Sequence, residues 1–257
     1  MTPSAPSGTL APLEPGKVTL VGGGPGDPGL VTVAGLAALR QADVVLVDHL
    51  APQESLAEVG EGCEVVWVGK LPRGEFVPQE RINELLVEHA RAGRRVVRFK
   101  GGDNFVFGRG GEEWQACAAA GVAVRVVPGV TSSVAAPALA GIPVTHRSLV
   151  QGFTVVSGHV PPGDERSSLD WQALARTRTT LVVLMGVKYL PEIIEALVAG
   201  GLDPRTPAAV VASAGTPQMR TIRGQLDGIV ALAADVRPPA VTVIGEVAGL
   251  ELDAVEG

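Results

Sequence analysis

From Lys17 onward, short Val- and Leu-rich runs alternate with amphipathic stretches. The runs Val18–Val21, Val44–Val47, Val65–Val68, Val96–Phe99 and Val122–Val127 are β-branched and show little polar alternation. That pattern predicts parallel strands buried on both faces. Between them lie helical patterns. From Pro78 to Ala92, Ile82, Leu85, Leu86 and His89 recur at helical spacing, and Gly93 ends the element. Strand–helix alternation of this kind predicts an α/β domain built on a mostly parallel five-stranded sheet.

The pattern then restarts. Phe153–Ser157, Leu181–Met185, Ala208–Ala212, Met219–Arg223 and Ala240–Ile244 form a second set of strand candidates. Two of them flank the short SAGTPQ segment, which leaves no room for a helix, so a hairpin and a mixed second sheet are expected. The expected organisation is a disordered tail over residues 1–15, an N-terminal α/β domain over 16–130, a C-terminal α/β domain over 131–250 and a tail over 251–257. The halves meet near residues 128–150, with no Ser/Gly linker, and the active site is expected in the cleft between them.

Composition narrows the class. With 46% hydrophobic and 19% charged residues, the chain is globular rather than disordered. Two cysteines, Cys63 and Cys117, exclude a disulfide scaffold. No apolar run reaches the length of a membrane span. Residues 1–15 lack a basic region and a sustained apolar stretch, so no secretory signal is read there and the cytoplasm is the expected compartment. The net charge of −6 argues against a nucleic-acid partner. It leaves room for an anionic ligand in a local basic cleft.

In open α/β sheets ligands bind beyond the carboxyl ends of the strands. There the sequence places Gly22–Gly29, Asp48-His49, Gly69-Lys70 with Arg73, Lys100–Asp103 and Pro128–Ser132. The glycine loop resembles a dinucleotide fingerprint, with Asp48 lying 26 residues beyond Gly22. Pro25 and Pro28 argue against that use, because they fix backbone angles inside the loop and delay the next helix. The loop is either a tight turn or a bare-backbone surface for a flat ligand. Lys100-Gly101-Gly102-Asp103 carries more: two glycines admit close approach, and the carboxylate can bind a ribose diol or an ammonium group. Phe105 and Phe107 either anchor the following loop or flank a ligand. Isolated Cys63 and Cys117 read as structural thiols. His49, His89, His146 and His159 show no metal spacing, His89 reads as a packing residue, and no metal site is expected. No G-x-S-x-G supports a serine hydrolase.

Together these segments resemble the tetrapyrrole methylases, the S-adenosylmethionine-dependent enzymes of the corrin and sirohaem pathways. The resemblance rests on VGGGPGDPGLVT (21–32), VGK (68–70), VPQERIN (77–83), VVRFKGGDNFVFGRGGEE (96–113), VVPGVTSS (126–133), AGIPVTHR (140–147), SGH (157–159) and LMG (184–186). The VGK, VPQE-IN and GIP-THR pieces are most similar to the branch that methylates uroporphyrinogen III. The resemblance implies cofactor contacts at Pro25, Gly101, Gly102, Asp103, Val106, Thr131, Ser132, Met185 and Gly215. It implies Asp48 as proton acceptor and Lys70 as proton donor. It departs from the family at Val47, where relatives carry Tyr, and at Asn104, where they carry Pro.

The implied reaction moves a sulfonium methyl to two pyrrole carbons, C2 and C7, giving precorrin-2 for sirohaem or cobalamin synthesis. Because the tetrapyrrole carries many carboxylates, Arg73, Arg109, His146, Arg147 and His159 are candidates to hold them. A homodimer without nucleic-acid or membrane partners is implied as well. Two other functional classes compete: a nicotinamide-dependent oxidoreductase using the glycine loop and Asp48, and a non-enzymatic tetrapyrrole-binding protein. Within the methylases, a later precorrin is the alternative substrate.

Overall fold

The Val-rich runs of the first half form five parallel strands, as their apolar pattern demands. The computed structural model describes residues 11–69 and 77–252. The chain divides into two compact units, Met1–Thr131 and Ser132–Gly257. In the first, β1 (Val18–Gly22), α1 (Val33–Gln41), β2 (Val44–Val47), β3 (Glu64–Trp67), α2 (Gln79–Arg91), β4 (Val96–Lys100), α3 (Gly110–Ala119) and β5 (Val124–Val127) follow in order. The sheet order is β3-β2-β4-β1-β5, and every pairing is parallel. All five carboxyl ends therefore lie along one edge.

Burial on both faces holds for the three central strands. At the edges, β3 exposes Glu64 and Trp67, and β5 buries only Val127 fully, because an edge strand has one neighbour instead of two. On one face, Val18, Leu20, Val44, Leu46 and Val96 pack with Ile82, Leu86 and Ala90 of α2 and Cys117 of α3. On the other, Val21, Val45, Val47, Val97 and Phe99 pack with Ala34, Ala38 and Leu39 of α1. Each fully buried Val, Leu or Phe side chain contributes roughly 1.5–3 kcal/mol. Helix α2 ends at Gly93, whose φ of +78° suits a residue without Cβ.

The second unit runs α4 (Ser132–Leu139), β6 (Phe153–Ser157), α5 (Trp171–Ala175), β7 (Thr180–Leu184), α6 (Leu190–Ala199), β8 (Pro207–Ala212), β9 (Arg220–Gln225), α7 (Ile229–Leu232) and β10 (Ala240–Ile244). Its sheet is mixed, ordered β6-β7-β10-β8-β9. β6 and β7 are parallel, β10 runs antiparallel to both β7 and β8, and β8–β9 is the expected antiparallel hairpin. Helix α4 is not evident in the sequence, because Pro137 lies inside it and proline reads as a breaker.

Residues 11–15, placed in the N-terminal tail by composition, are tied to the first unit. Leu13 is buried, its N–H donates to Gln41 Oε1 at 3.0 Å, and Ala11 O accepts from Arg125 Nη1 at 2.6 Å. A Pro-rich segment can be held this way by one apolar side chain and two hydrogen bonds. Among the described residues, no helix is long and apolar enough to cross a membrane.

Candidate active site

At the carboxyl edge of the first sheet, three loops pack backbone against backbone. A Cβ on Gly22 would stand 2.5 Å from Gly129 N, and one on Gly129 would stand 2.4 Å from Gly102 O. These contacts involve backbone, which cannot swing aside, so only glycine fits. Gly24 and Gly102 also exchange both backbone hydrogen bonds, at 3.1 and 2.6 Å. The glycine loop is thus a brace between β1 and β4. A 3-10 turn over Pro28–Leu30 follows, and α1 starts only after its cap, Thr32. A helix N-terminus that distant cannot serve a pyrophosphate held in the loop, which removes the structural basis for the nicotinamide reading.

Asp103 completes the brace. Its Oδ2 accepts from Gly129 N at 3.1 Å and its Oδ1 from Phe105 N at 2.9 Å. Each oxygen retains another lone pair for a ligand hydroxyl or ammonium. Pro25, Gly101, Gly102 and Val106 are partly exposed beside it in the sequence loops that β1 and β4 deliver. Gly101 has its own packing reason, since a Cβ there would meet Leu50 O at 2.6 Å. Asn104 is buried and donates to Val127 O at 2.9 Å, so the amide ties the loop to β5. Phe105 is 54% exposed and Phe107 44%, so these rings are not core anchors, although Phe105 lies against Trp114 with centroids 6.3 Å apart.

Asp48 follows β2 and is partly exposed. Its Oδ1 accepts from Arg98 Nη2 at 2.5 Å, and its Oδ2 stands 3.9 Å from Lys100 Nζ. Sequence reasoning did not single out this partner set. It also placed Lys100 in the ligand loop, whereas Lys100 is the last residue of β4 and is buried. Arg98 and Lys100 are two apart on one strand, so both point to the same face. There Glu113 of α3 receives Arg98 Nε at 2.8 Å and Lys100 Nζ at 2.9 Å. Gln79 Nε2 of α2 approaches Glu113 Oε1 at 3.4 Å. Burial, reinforced by Arg98, holds the Lys100 ammonium below its ordinary pKa against the pull of Glu113 and Asp48. Burial acts the same way on Arg98, but there Asp48 and Glu113 prevail and raise it. The available signal was two cations inside an apolar strand, which need buried counter-charges.

Lys70 and Arg73 lie outside the described residues. Arg109 is exposed, adopts φ +58° at the start of α3 and is paired to Glu112. Thr131 ends the first unit and Ser132 opens α4 in the second.

In the second unit the motifs SGH and LMG meet. A Cβ on Gly158 would stand 2.6 Å from Gly186 Cα, and Gly158 N donates to Leu184 O at 2.8 Å. The strand expected to include Met185 stops at Leu184, because Met185 turns to φ +58°. The residue is 49% exposed. Gly215, at φ +76°, lies in the β8–β9 turn. Since β7 and β8 both run antiparallel to β10, Met185 and Gly215 follow strand ends on the same edge of that sheet. His159 also follows there, its Nδ1 2.9 Å from Ser157 Oγ. His146 Nδ1 accepts from Ser148 N at 3.3 Å, and Arg147 beside it is exposed. Among the described residues, no cluster of three or more His, Cys, Asp or Glu is placed to hold a metal.

The profile of the family Tetrapyrrole (Corrin/Porphyrin) Methylases matches residues 17–230. The siroheme synthase of Tolumonas auensis is 48% identical over 91% of this chain and 50% of its own length. That of Neisseria meningitidis serogroup B is 48% identical over 91% and 48%. The chain thus spans about half the length of these curated relatives. Among solved structures, uroporphyrin-III C-methyl transferase from Thermus thermophilus complexed with S-adenyl homocysteine is 44% identical. It covers 90% of this chain and 92% of its own, with a TM-score of 0.76. A cobalt precorrin-4 methyltransferase is 27% identical over 95% and 99%, with a TM-score of 0.80.

Proposed function

The chain belongs to the tetrapyrrole (corrin/porphyrin) methylases, and from that membership we propose that it methylates uroporphyrinogen III at C2 and C7, using S-adenosylmethionine. The products are precorrin-2, a precursor for sirohaem or cobalamin, and S-adenosylhomocysteine. The observation that carries the substrate is the 44% identity to the Thermus thermophilus enzyme across nine tenths of both chains.

The residues present suit such a cofactor. Asp103 is a half-buried carboxylate with lone pairs to spare beyond its two backbone donors, the acceptor that a ribose diol or ammonium requires. Pro25, Gly101, Gly102, Val106, Thr131, Ser132, Met185 and Gly215 are the other cofactor contacts in this reading. S-adenosylmethionine, when bound, supplies a methyl already activated by its positively charged sulfur. The protein's work is then alignment and charge management. Asp48 takes the proton that the macrocycle loses as its new carbon–carbon bond forms, or stabilises the positive charge before that loss. Lys70 is the proton donor in this reading. Arg73, Arg109, His146, Arg147 and His159 hold substrate carboxylates, for which Arg109 exchanges its contact with Glu112.

Turnover of uroporphyrinogen III with S-adenosylmethionine tests the reading. Two equivalents of S-adenosylhomocysteine per tetrapyrrole are expected, with a dimethylated product by mass. No methyl transfer to uroporphyrinogen III, with transfer to a later precorrin, overturns the substrate assignment.

A further inference from the structure

Arg98, Lys100 and Glu113 are 1%, 3% and 0% exposed, and no step of the reaction above uses them. Two cations and two carboxylates, counting Asp48, balance in charge. Burying them is nevertheless costly, and apolar residues of similar volume often serve stability as well or better. A purely structural plug would not need to reach the surface. This one does so at a single member, Asp48, whose side chain is 28% exposed.

The geometry shows how the cluster acts. Arg98 Nε donates to Glu113 Oε1 at 2.8 Å. Nη1 lies 3.2 Å from Leu46 O and 3.4 Å from Phe99 O. Nη2 donates to Asp48 Oδ1 at 2.5 Å. A planar guanidinium held on three sides cannot rotate. It therefore holds one oxygen of the Asp48 carboxylate in place, while the other faces Lys100 Nζ at 3.9 Å. Lys100 Nζ bridges both Glu113 oxygens, at 2.9 and 3.0 Å. The anchor is thus tied to β4 twice, and it is carried by α3 rather than by the loop it controls.

We propose that Glu113 is a positioning residue for Asp48, acting through Arg98 and Lys100 to aim the carboxylate at the substrate. This rests on the reading of Asp48 as the catalytic carboxylate. A misplaced catalytic group can cost about 100-fold in rate.

The test is a double-mutant cycle on the full chain with Glu113→Gln and Asp48→Asn. It follows kcat and KM for uroporphyrinogen III by single-turnover methyl transfer, and S-adenosylhomocysteine affinity by calorimetry. Glu113→Gln is expected to lower kcat about 10- to 100-fold with KM and S-adenosylhomocysteine affinity within about twofold. In the Asp48→Asn background the same change is expected to alter kcat less than about twofold, because the group it positions is gone. Equal losses in both backgrounds, or no loss in either, overturn the positioning role alone. Parent-like turnover by Asp48→Asn, or an inactive parent, overturns the catalytic reading and this inference with it. Should Glu113→Gln fail to fold, Lys100→Met/Glu113→Gln removes one buried charge of each sign and replaces it in the cycle, with the same outcomes.

Discussion

Arg98 and Asp48 meet across neighbouring strands, with Arg98 Nη2 2.5 Å from Asp48 Oδ1. The arginine side chain is 2% exposed and the aspartate side chain 28%. The pair is asymmetric: a fixed interior cation holds a carboxylate that solvent, and any substrate at that edge, can still reach. An exposed ion pair would contribute roughly 0–1 kcal/mol and leave the carboxylate free to turn. Here the interior partner is immobile.

Asp48→Asn is expected to lower kcat by roughly 10²–10⁴, the range for a lost acid or base. Its melting temperature should fall as well: the amide oxygen still accepts from Arg98, but the buried cations Arg98 and Lys100 are left with one counter-charge, Glu113. Lys70→Met should lower kcat similarly while S-adenosylhomocysteine affinity holds. A rise in KM with unchanged kcat would instead make Lys70 a substrate-carboxylate ligand. Steady-state kinetics with uroporphyrinogen III checks both.

Asp103→Ala should act on affinity and stability together. It removes the acceptor for Phe105 N and Gly129 N, a loss of about 1–3 kcal/mol where the donors stay dry. S-adenosylhomocysteine binding should weaken at least about tenfold by calorimetry. Unchanged affinity with a lowered melting temperature would confine Asp103 to bracing the loops.

Gly129→Ala should destabilise by about 1–3 kcal/mol or more, since its Cβ would stand 2.4 Å from Gly102 O. Gly111→Ala, in the first turn of α3 with nothing within 4 Å of an added Cβ, should stabilise by about 0.4–1 kcal/mol. Urea melts of the two variants check the contrast.

Acid sensitivity should trace in part to Asp43. The hydrogen bond from Arg95 holds its pKa down to about 2, below the ordinary aspartate value of 3.8. A carboxyl depressed in the folded state contributes fully above its unfolded pKa and loses that contribution as pH falls towards its folded one. The loss therefore falls between 3.8 and about 2. With side chains 38% and 35% exposed, the pair is worth at most about 1 kcal/mol. Asp43→Asn should flatten stability against pH across that window in urea melts, and leave it flattened at high salt.

A homodimer is expected from the family resemblance. Light scattering should give a mass near twice the 26.3 kDa of one chain. A mass of 26.3 kDa at all concentrations would refute it.

Strand positions were legible because burial on both faces leaves its mark on consecutive residues: Val44–Val47 and Val96–Phe99 can hardly be anything but interior strands. The β8–β9 hairpin was legible because a short polar turn admits no crossover helix. Asp48, Gly101, Gly102 and Asp103 stood out because parallel strands all end at one edge, which converts sequence position into spatial neighbourhood. Helix α4 was masked by Pro137, and the docking of residues 11–15 by a composition that reads as tail. Glu113 was invisible for a different reason. A glutamate in the first turn of a helix is ordinarily solvated, and nothing local distinguishes it from Glu112, which is in fact exposed and paired to Arg109. The strand and helix pattern is dictated by residues near one another in the chain, through backbone hydrogen bonding and the period of apolar side chains. Which carboxylate lies beneath Arg98 and Lys100 depends on how α3 packs on the sheet, and only the tertiary structure decides that.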